Sequence, residues 1–550
     1  MRALPDDRDI TKLFVLLRMS RMAEMTMLPK RIASTVAAGL LLYGVTHFAV
    51  PALAQETYFS SYAAEQYVSP PDEFSRRLME LERRIDQLDA PPQPAMTAPQ
   101  VPAGAMPNMQ NIQNVPTTNV GHLMERIERL EAAQTVQSAQ IAKVAEDYVP
   151  PTKPTFKIGG RVHFDTWDFP SNTPGIGFFE NPATGNDPEN RWAFRRVRLE
   201  TSGDAFETML WRIQVDFADP NDPAIKDVYI GWDELPGNTT VLLGNQKRPL
   251  GLDALNSSRF NIFMERPLVV EAFNEDARRL GLCGYSYSDD LVYNWRYGIF
   301  NMENVSGTGA YLGDAFQGSG NARLASSPWY DDSSGGRGYY HWAIAGMVAN
   351  PDGDVLATTP HSNQGRFRTR PEARSSSRWI DTGAIAGADW YEVFALESML
   401  NVGAWNFCGE YQTTWLQRDN GMSDVNFHGG YLQAAYFLTG EHMAYDRKSS
   451  TLSRTKPFEN FFLVPDCNGN FGTGWGAWQI AARISYLDLS DDNIQGGVET
   501  NATLGLNWLW TSHSKMQFNA IYGDISEHRP VGGYTGGNFW VMGCRFMVDF

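Results

Sequence analysis

The chain is poor in the features that mark most enzymes and nucleic-acid binders. Only four cysteines occur in 550 residues: Cys283, Cys408, Cys467 and Cys544. They lie far apart and none has metal-ligand spacing, so neither a disulfide framework nor a zinc site is written in them. Positive charge is in deficit: 46 Lys and Arg stand against 63 Asp and Glu, a net charge of −17. Such a chain repels nucleic acid, and any anion affinity has to come from basic side chains gathered locally. No nucleophile elbow or phosphate-cradling glycine loop is present, the nine histidines are scattered, and no enzyme activity, metal or cofactor is expected. A lipid-hydrolysing barrel would need an external Ser–His pair, which nothing in the sequence picks out.

Long apolar runs are also scarce, with one exception. Lys30 and Arg31 precede the apolar stretch Ile32–Val50, and Ala52-Leu53-Ala54 is a small-x-small step before Gln55. This layout predicts a secretory signal peptide, residues 1–54 with an N-terminal extension, and export to the outer membrane. A retained anchor is the competing reading; Ser34, Thr35, Thr46 and His47 weaken it. Translation could begin at Met25 or Met27.

Aromatic side chains, by contrast, are plentiful, at 12% with 16 Trp and 22 Tyr. Composition alone fits two classes equally: a membrane barrel with interfacial aromatic belts, and a secreted β protein with aromatic sugar-binding faces. Periodicity separates them. Between residue 55 and about 150 two helical seams flank a Pro-rich stretch. Phe74, Leu78, Leu81, Ile85 and Leu88 form a short heptad seam, and Pro91 to Pro116 mark an extended linker within residues 55–118. A second seam, residues 119–149, runs Val120, Leu123, Ile127, Leu130, Gln134, Gln137, Ile141 and Val144 and predicts a self-associating coiled coil. An amphipathic helix lying on its own barrel is the alternative.

From Phe156 onward the period becomes two. Trp211, Ile213, Val215 and Phe217 alternate with Arg212, Gln214 and Asp216, which puts apolar groups on one face of a strand and charged groups on the other. The same holds for Trp478–Tyr486, Leu504–Trp510, Met516–Tyr522 and Trp540–Phe550, the last ending on an aromatic residue. Such a terminal Phe resembles the signal read by the bacterial outer-membrane assembly machinery. Hydrocarbon offers no hydrogen bonds, so strands that face it must close into a barrel. The predicted fold over 155–550 is an all-β transmembrane barrel of about 16 antiparallel strands, preceded by the α-helical coiled-coil segment. Pro170–Asn190 and Gly307–Gly338 read as extracellular loops.

Several short motifs carry a family resemblance: Lys157-Ile158-Gly159-Gly160-Arg161, Phe194-Arg195-Arg196-Val197-Arg198-Leu199-Glu200, Lys226-Asp227-Val228-Tyr229, Gly244-Asn245-Gln246-Lys247, Asn256-Ser257-Ser258, Phe263-Met264-Glu265-Arg266, and the run Tyr431–Glu441. In this order the chain resembles the phosphate-selective porin O and P family over most of 156–550. The resemblance implies a homotrimer of 16-stranded channels for small anionic solutes such as phosphate, each narrowed by an inward loop and lined by arginines. By motif match it puts Arg161, Arg195 and Arg196 on the wall near the constriction and Arg266 on the inward loop. Arg366, Arg368 and Arg370 match part of the arginine track. Where selective members can carry Lys after a Gly-Leu-acid step, Gly251-Leu252-Asp253 is followed here by Ala254. Pairing of Arg195, Arg196 and Arg198 with lumenal carboxylates such as Glu200, Asp216 and Asp227 is the competing role for those arginines. At the level of the whole chain, the rival is a barrel that serves as anchor while the coiled coil tethers the outer membrane to the cell wall.

Overall fold

A computed structural model describes residues 154–550 apart from 207, 276, 306–316, 352–364, 420 and 466–470. The expected signal peptide and both heptad segments lie outside the described residues.

Sixteen strands close into one antiparallel barrel in chain order. They are β1 (Lys157–Asn172), β2 (Arg191–Asp204), β3 (Met209–Asp216), β4 (Ala224–Leu235), β5 (Thr239–Lys247), β6 (Arg278–Tyr287), β7 (Tyr293–Asn301) and β8 (Gly318–Tyr330). Then come β9 (Gly338–Ala349), β10 (Ala388–Val402), β11 (Trp405–Arg418), β12 (Val425–Phe437), β13 (Ala477–Asp491), β14 (Ile494–Thr511), β15 (Ser514–His528) and β16 (Gly537–Asp549). Closure is made by β1 against β16, from Arg161 opposite Asp549 to Asn172 opposite Phe539. No described helix is long and apolar enough to span a bilayer.

The alternation read from sequence is the two-sidedness of this wall. Ile213 and Phe217 on β3 and its end, Leu432 on β12, Ile480 and Ile484 on β13 and Leu504 on β14 all point outward and are exposed to the surroundings of the barrel. Arg212, Gln214 and Asp216 point inward. Trp192 and Phe194 mark one rim, and Trp405, Trp478, Trp508 and Trp510 the other. In an aqueous protein so many exposed apolar side chains would be costly; facing lipid they are the stable choice.

The interior departs from a simple water-filled tube. Leu250, Leu252, Phe263, Leu268, Val269, Phe273, Phe367 and Trp379 come from two loops, 248–277 and 350–387, whose described parts 248–275 and 365–387 fold into the lumen. They share one apolar cluster with the inward wall residues Phe427, Phe539 and Val541, Phe367 packing on Phe427 and Trp379 on Phe539, which is why those lumen-face positions are apolar. Each such side chain stabilises the inward fold by roughly 1.5–3 kcal/mol. Two short helices shape the first loop: α1 (Leu252–Leu255) and α2 (Leu268–Phe273).

Two connections differ from expectation. Gly307–Gly338 is not all loop, because β8 occupies Gly318–Tyr330. Its Gly, Ser, Asn and Ala residues resemble loop composition, but Asn321, Arg323 and Ala325 alternate inward and Ala322 and Leu324 outward. The other concerns the barrel end whose turns, such as 236–238, 403–404 and 512–513, are short. Short turns mark the periplasmic end of such barrels. Yet the β12–β13 connection at this end, 438–476, is long and part of it enters the lumen.

Candidate functional site

A bulge between β1 and β2 prepares the site. His163 pairs with Arg196 and Phe164 with Phe194, leaving Arg195 as the extra residue. The shift lets Phe194 face outward and turns both Arg195 and Arg196 inward, which strict alternation forbids. Arg198 and Glu200 follow on the same inner face.

The inward loop is held by motif residues. Gly251 has φ 81°, and a Cβ there would meet Glu410 Oε2 at 2.8 Å, so glycine is required. That closeness serves a purpose: the Glu410 carboxylate accepts from the backbone N–H groups of Leu252 at 2.9 Å and Asp253 at 2.7 Å, and from Tyr431 Oη at 2.7 Å. Farther along, Glu265 accepts from Arg195 through two bonds of 2.8 and 2.9 Å and from Arg545 at 2.8 Å. Arg545 also grips Asp165 with two bonds, at 2.7 and 2.6 Å. The 350–387 loop is tied down by Glu372, which pairs with Arg483 at 2.6 Å, both buried.

Between the 248–277 loop and the β1–β7 wall lies a cavity of about 420 Å3. Nine basic side chains line it: Arg161, Arg196, Arg198, Arg212, Lys247, Arg259, Arg266, Arg278 and Arg296. One lining residue, Asp227, is acidic. The ion pairs around the cavity bring in four more carboxylates. Arg198 meets Asp216 at 2.7 Å, Arg212 meets Glu200 at 2.8 Å, Arg266 meets Asp253 at 3.0 Å, and Arg259 meets Asp549 at 3.1 Å. Arg278 takes Asp227 with two bonds of 2.8 and 3.0 Å. Five carboxylates thus face nine cations, and positive charge remains in excess.

The surplus sits on particular residues. Arg196, only 5% exposed, has a single hydrogen-bond partner among the described residues, His163 Nδ1 at 3.3 Å, and no carboxylate within ion-pair range. Lys247 donates to the carbonyls of Leu255 and Asn256, at 2.8 Å each. Arg296 is held by Asn294 and the Ser449 carbonyl. Arg161 is held by Ser257 and Ser258 at 3.2 and 3.1 Å, with Glu200 3.5 Å away. The Asn256-Ser257-Ser258 motif is thereby explained, since its hydroxyls hold a cation without neutralising it.

Of the five site residues expected from sequence, Arg161, Arg196 and Arg266 meet in this cavity. Arg195 and Arg368 do not line it. Arg195 is spent on Glu265, and Arg368 pairs with Glu275 at 3.1 Å. Arg366 and Arg370 likewise pair with Asp381 and Glu271. The sequence reading did not name Arg198, Arg212, Lys247, Arg259, Arg278 and Arg296 as site residues. Arg212 and Arg296 were accessible through strand alternation. Arg259 was not, because its placement depends on how the 248–277 loop folds, and Arg278 was not, because it opens β6 beside the equally buried Arg279, where alternation is not yet visible. Cys283, Cys408 and Cys544 are buried and free.

The match to known proteins follows the same residues. The family model described as "Phosphate-selective porin O and P" matches residues 156–550. An uncharacterized protein of Caulobacter vibrioides is 26% identical over 404 residues, 72% of this chain and 74% of its own. Porin O of Pseudomonas aeruginosa is 23% identical over 397 residues, 64% of this chain and 79% of its own. Among solved structures, an anion-selective porin from Comamonas acidovorans aligns with a TM-score of 0.42 at 12% identity, covering 72% of this chain and 99% of that one. With its closed barrel, inward loops and family match over the whole described region, the chain belongs to the phosphate-selective porin O and P family and is an outer-membrane porin forming a water-filled channel for passive diffusion of small solutes.

Proposed function

We propose that the solutes are small anions, inorganic phosphate among them, and that the nine-cation cavity is where they pause on the way through. One observation carries this reading: a confined lumenal site with more fixed cations than carboxylates, including a buried Arg196 that no carboxylate neutralises. Rings of Arg and Lys make anion and phosphate pores, and the guanidinium keeps its charge and matches an oxyanion with two parallel donors. The partial offset by Asp227, Asp216, Glu200, Asp253 and Asp549 serves conduction, because a site that binds too tightly does not release.

In this reading Arg161, Arg196 and Arg266 contact the anion. Arg195 and Arg368, already paired, shape the approach by holding loops. Arg266 also supplies what Ala254 lacks. Its guanidinium donates to the carbonyls of Asp253 and Ala254, at 3.2 and 3.3 Å, so a cation stands at the Gly251-Leu252-Asp253-Ala254 step although residue 254 is not basic. A homotrimer embedded in outer-membrane lipid is the proposed assembly, and cross-linking in mild detergent should yield three copies. The anion site is tested by titrating phosphate into a chloride current across a planar bilayer. Wild type should show saturable block, weakened by about tenfold in Arg196→Ala, the loss of ~1.4 kcal/mol expected for one charge-assisted contact. Equal block in both would overturn the assignment.

A further inference from the structure

The long β12–β13 connection, 438–476, has two halves in different surroundings. The first is anchored in the lumen. Tyr339 Oη donates to the Met443 carbonyl at 3.0 Å, Tyr445 Oη meets His341 Nδ1 at 2.9 Å, and Asn294 donates to the Lys448 carbonyl at 2.6 Å. The Leu452 N–H donates to Asn256 Oδ1 of the inward loop at 2.9 Å. Arg296, one of the uncompensated cations, binds the Ser449 carbonyl. This half therefore borders the cationic cavity.

The second half lies on the outside of the wall. Phe461 packs edge-on against Trp508, ring centroids 4.6 Å apart, and its N–H donates to the Trp510 carbonyl at 2.7 Å. Trp508 Nε1 donates to the Trp475 carbonyl at 2.8 Å. Trp508 and Trp510 belong to the outward set of β14, and the same aromatic surface continues through Trp478, 4.8 Å from Trp508, and Phe546, 6.1 Å from Trp510. Around this attachment Phe458, Phe462, Phe471 and Trp475 are 67%, 59%, 68% and 72% exposed. Residues 457–462 and 471–476 hold one charged side chain, Glu459, and it is engaged in accepting the Trp475 N–H at 3.2 Å. Four large exposed aromatics on a nearly uncharged segment are unfavourable against water. They match the boundary between headgroups and acyl chains, where aromatic rings are preferred.

We propose that residues 458–462 and 471–475 form a foot that rests on the periplasmic leaflet of the outer membrane, with phospholipid as its partner, and so moors the lumenal half of the same connection beside the cation cavity. Continuity with the lipid-facing wall selects phospholipid as the occupant. The proposal goes beyond the anion reading and does not depend on it.

The test uses the full-length protein in phospholipid vesicles, carrying Trp475→Cys in a Cys467→Ser background and labelled with a nitrobenzoxadiazole fluorophore. Lipids brominated near the glycerol end of the chain should quench the label more than lipids brominated near the methyl end, and aqueous iodide should quench it little. Iodide quenching without bromolipid quenching would overturn the proposal, as would protection from both with cross-linking to a second copy. A parallel label through Phe471→Cys gives the same readout if the Trp475 variant does not fold. The mooring is read separately in bilayers: Phe462→Ser/Phe471→Ser should raise the frequency of brief current excursions several-fold, and an unchanged current trace would refute it.

Discussion

At the residue scale the lumenal arginines differ in how far a carboxylate takes up their charge. Arg545, Arg483 and Arg323 each share a buried carboxylate at 2.6–2.7 Å, and their charge is spent on folding. Arg196 has none. Sequence motifs drew Arg195 and Arg196 together as neighbours, and nothing in the string Phe194-Arg195-Arg196 says that one is neutralised by Glu265 and the other is not. That distinction depends on where a distant loop puts a carboxylate. The track arginines Arg368 and Arg370 teach the same lesson, because Glu275 and Glu271 reach them, and Arg378 beside them, from the other inward loop. Glu275→Gln should therefore release Arg368, and leave Arg378 with only Glu271 at 3.9 Å, and raise chloride conductance at low salt, with the gain shrinking at high salt as the freed charge is screened. Single-channel conductance at two ionic strengths checks it; no change at low salt would mean the pair does not face the path. Gly251→Ala should be poorly tolerated, since φ 81° and the 2.8 Å approach to Glu410 leave no room for a Cβ. The expected cost is about 1–3 kcal/mol, measured by urea unfolding of vesicle-bound protein.

At the element scale, strands were legible and inward loops were not. Alternation in β3, β13, β14 and β16 follows from each strand having lipid on one side, a constraint local to the strand. The lumen imposes no such uniform rule: Phe539 and Val541 face inward because loops cover them, and Arg545 faces inward because Asp165 awaits it. β8 was hidden by its small residues, which suit a wall position but look like a loop when read alone. The bulge beside Phe164 could not be read either, since a register shift is a property of two strands. The 350–387 loop has several anchors, among them Ser376, Ser377 and Trp379 donating to Glu180, and its most buried one is the Glu372–Arg483 pair, supported by Leu268 N–H and Thr503 Oγ1 donating to the same carboxylate at 3.2 and 3.1 Å. Breaking one side of a buried pair costs about 3–5 kcal/mol. Glu372→Ala is expected to loosen that loop by an energy of this order, seen as faster protease cleavage within 350–387 while the barrel stays intact; unchanged cleavage would show the loop is held elsewhere.

At the scale of the whole molecule, two solvents explain the sequence better than any local propensity. The wall is apolar outside, and the lumen gathers basic residues in a chain whose net charge is −17. Leu432, 74% exposed on the outer face of β12, reports on the first solvent: Leu432→Arg should destabilise the folded barrel in bilayers by about 2–4 kcal/mol, and a neutral result would mean the position does not face lipid. The second solvent is the lumen, and the claim that it favours anions despite the acidic chain is the centre of the account. The most direct measurement is the zero-current potential across a planar bilayer bathed by concentrated and dilute potassium chloride. The expected result is a dilute side that turns negative, with Arg196→Ala moving the potential toward zero; a dilute side that turns positive would contradict the account.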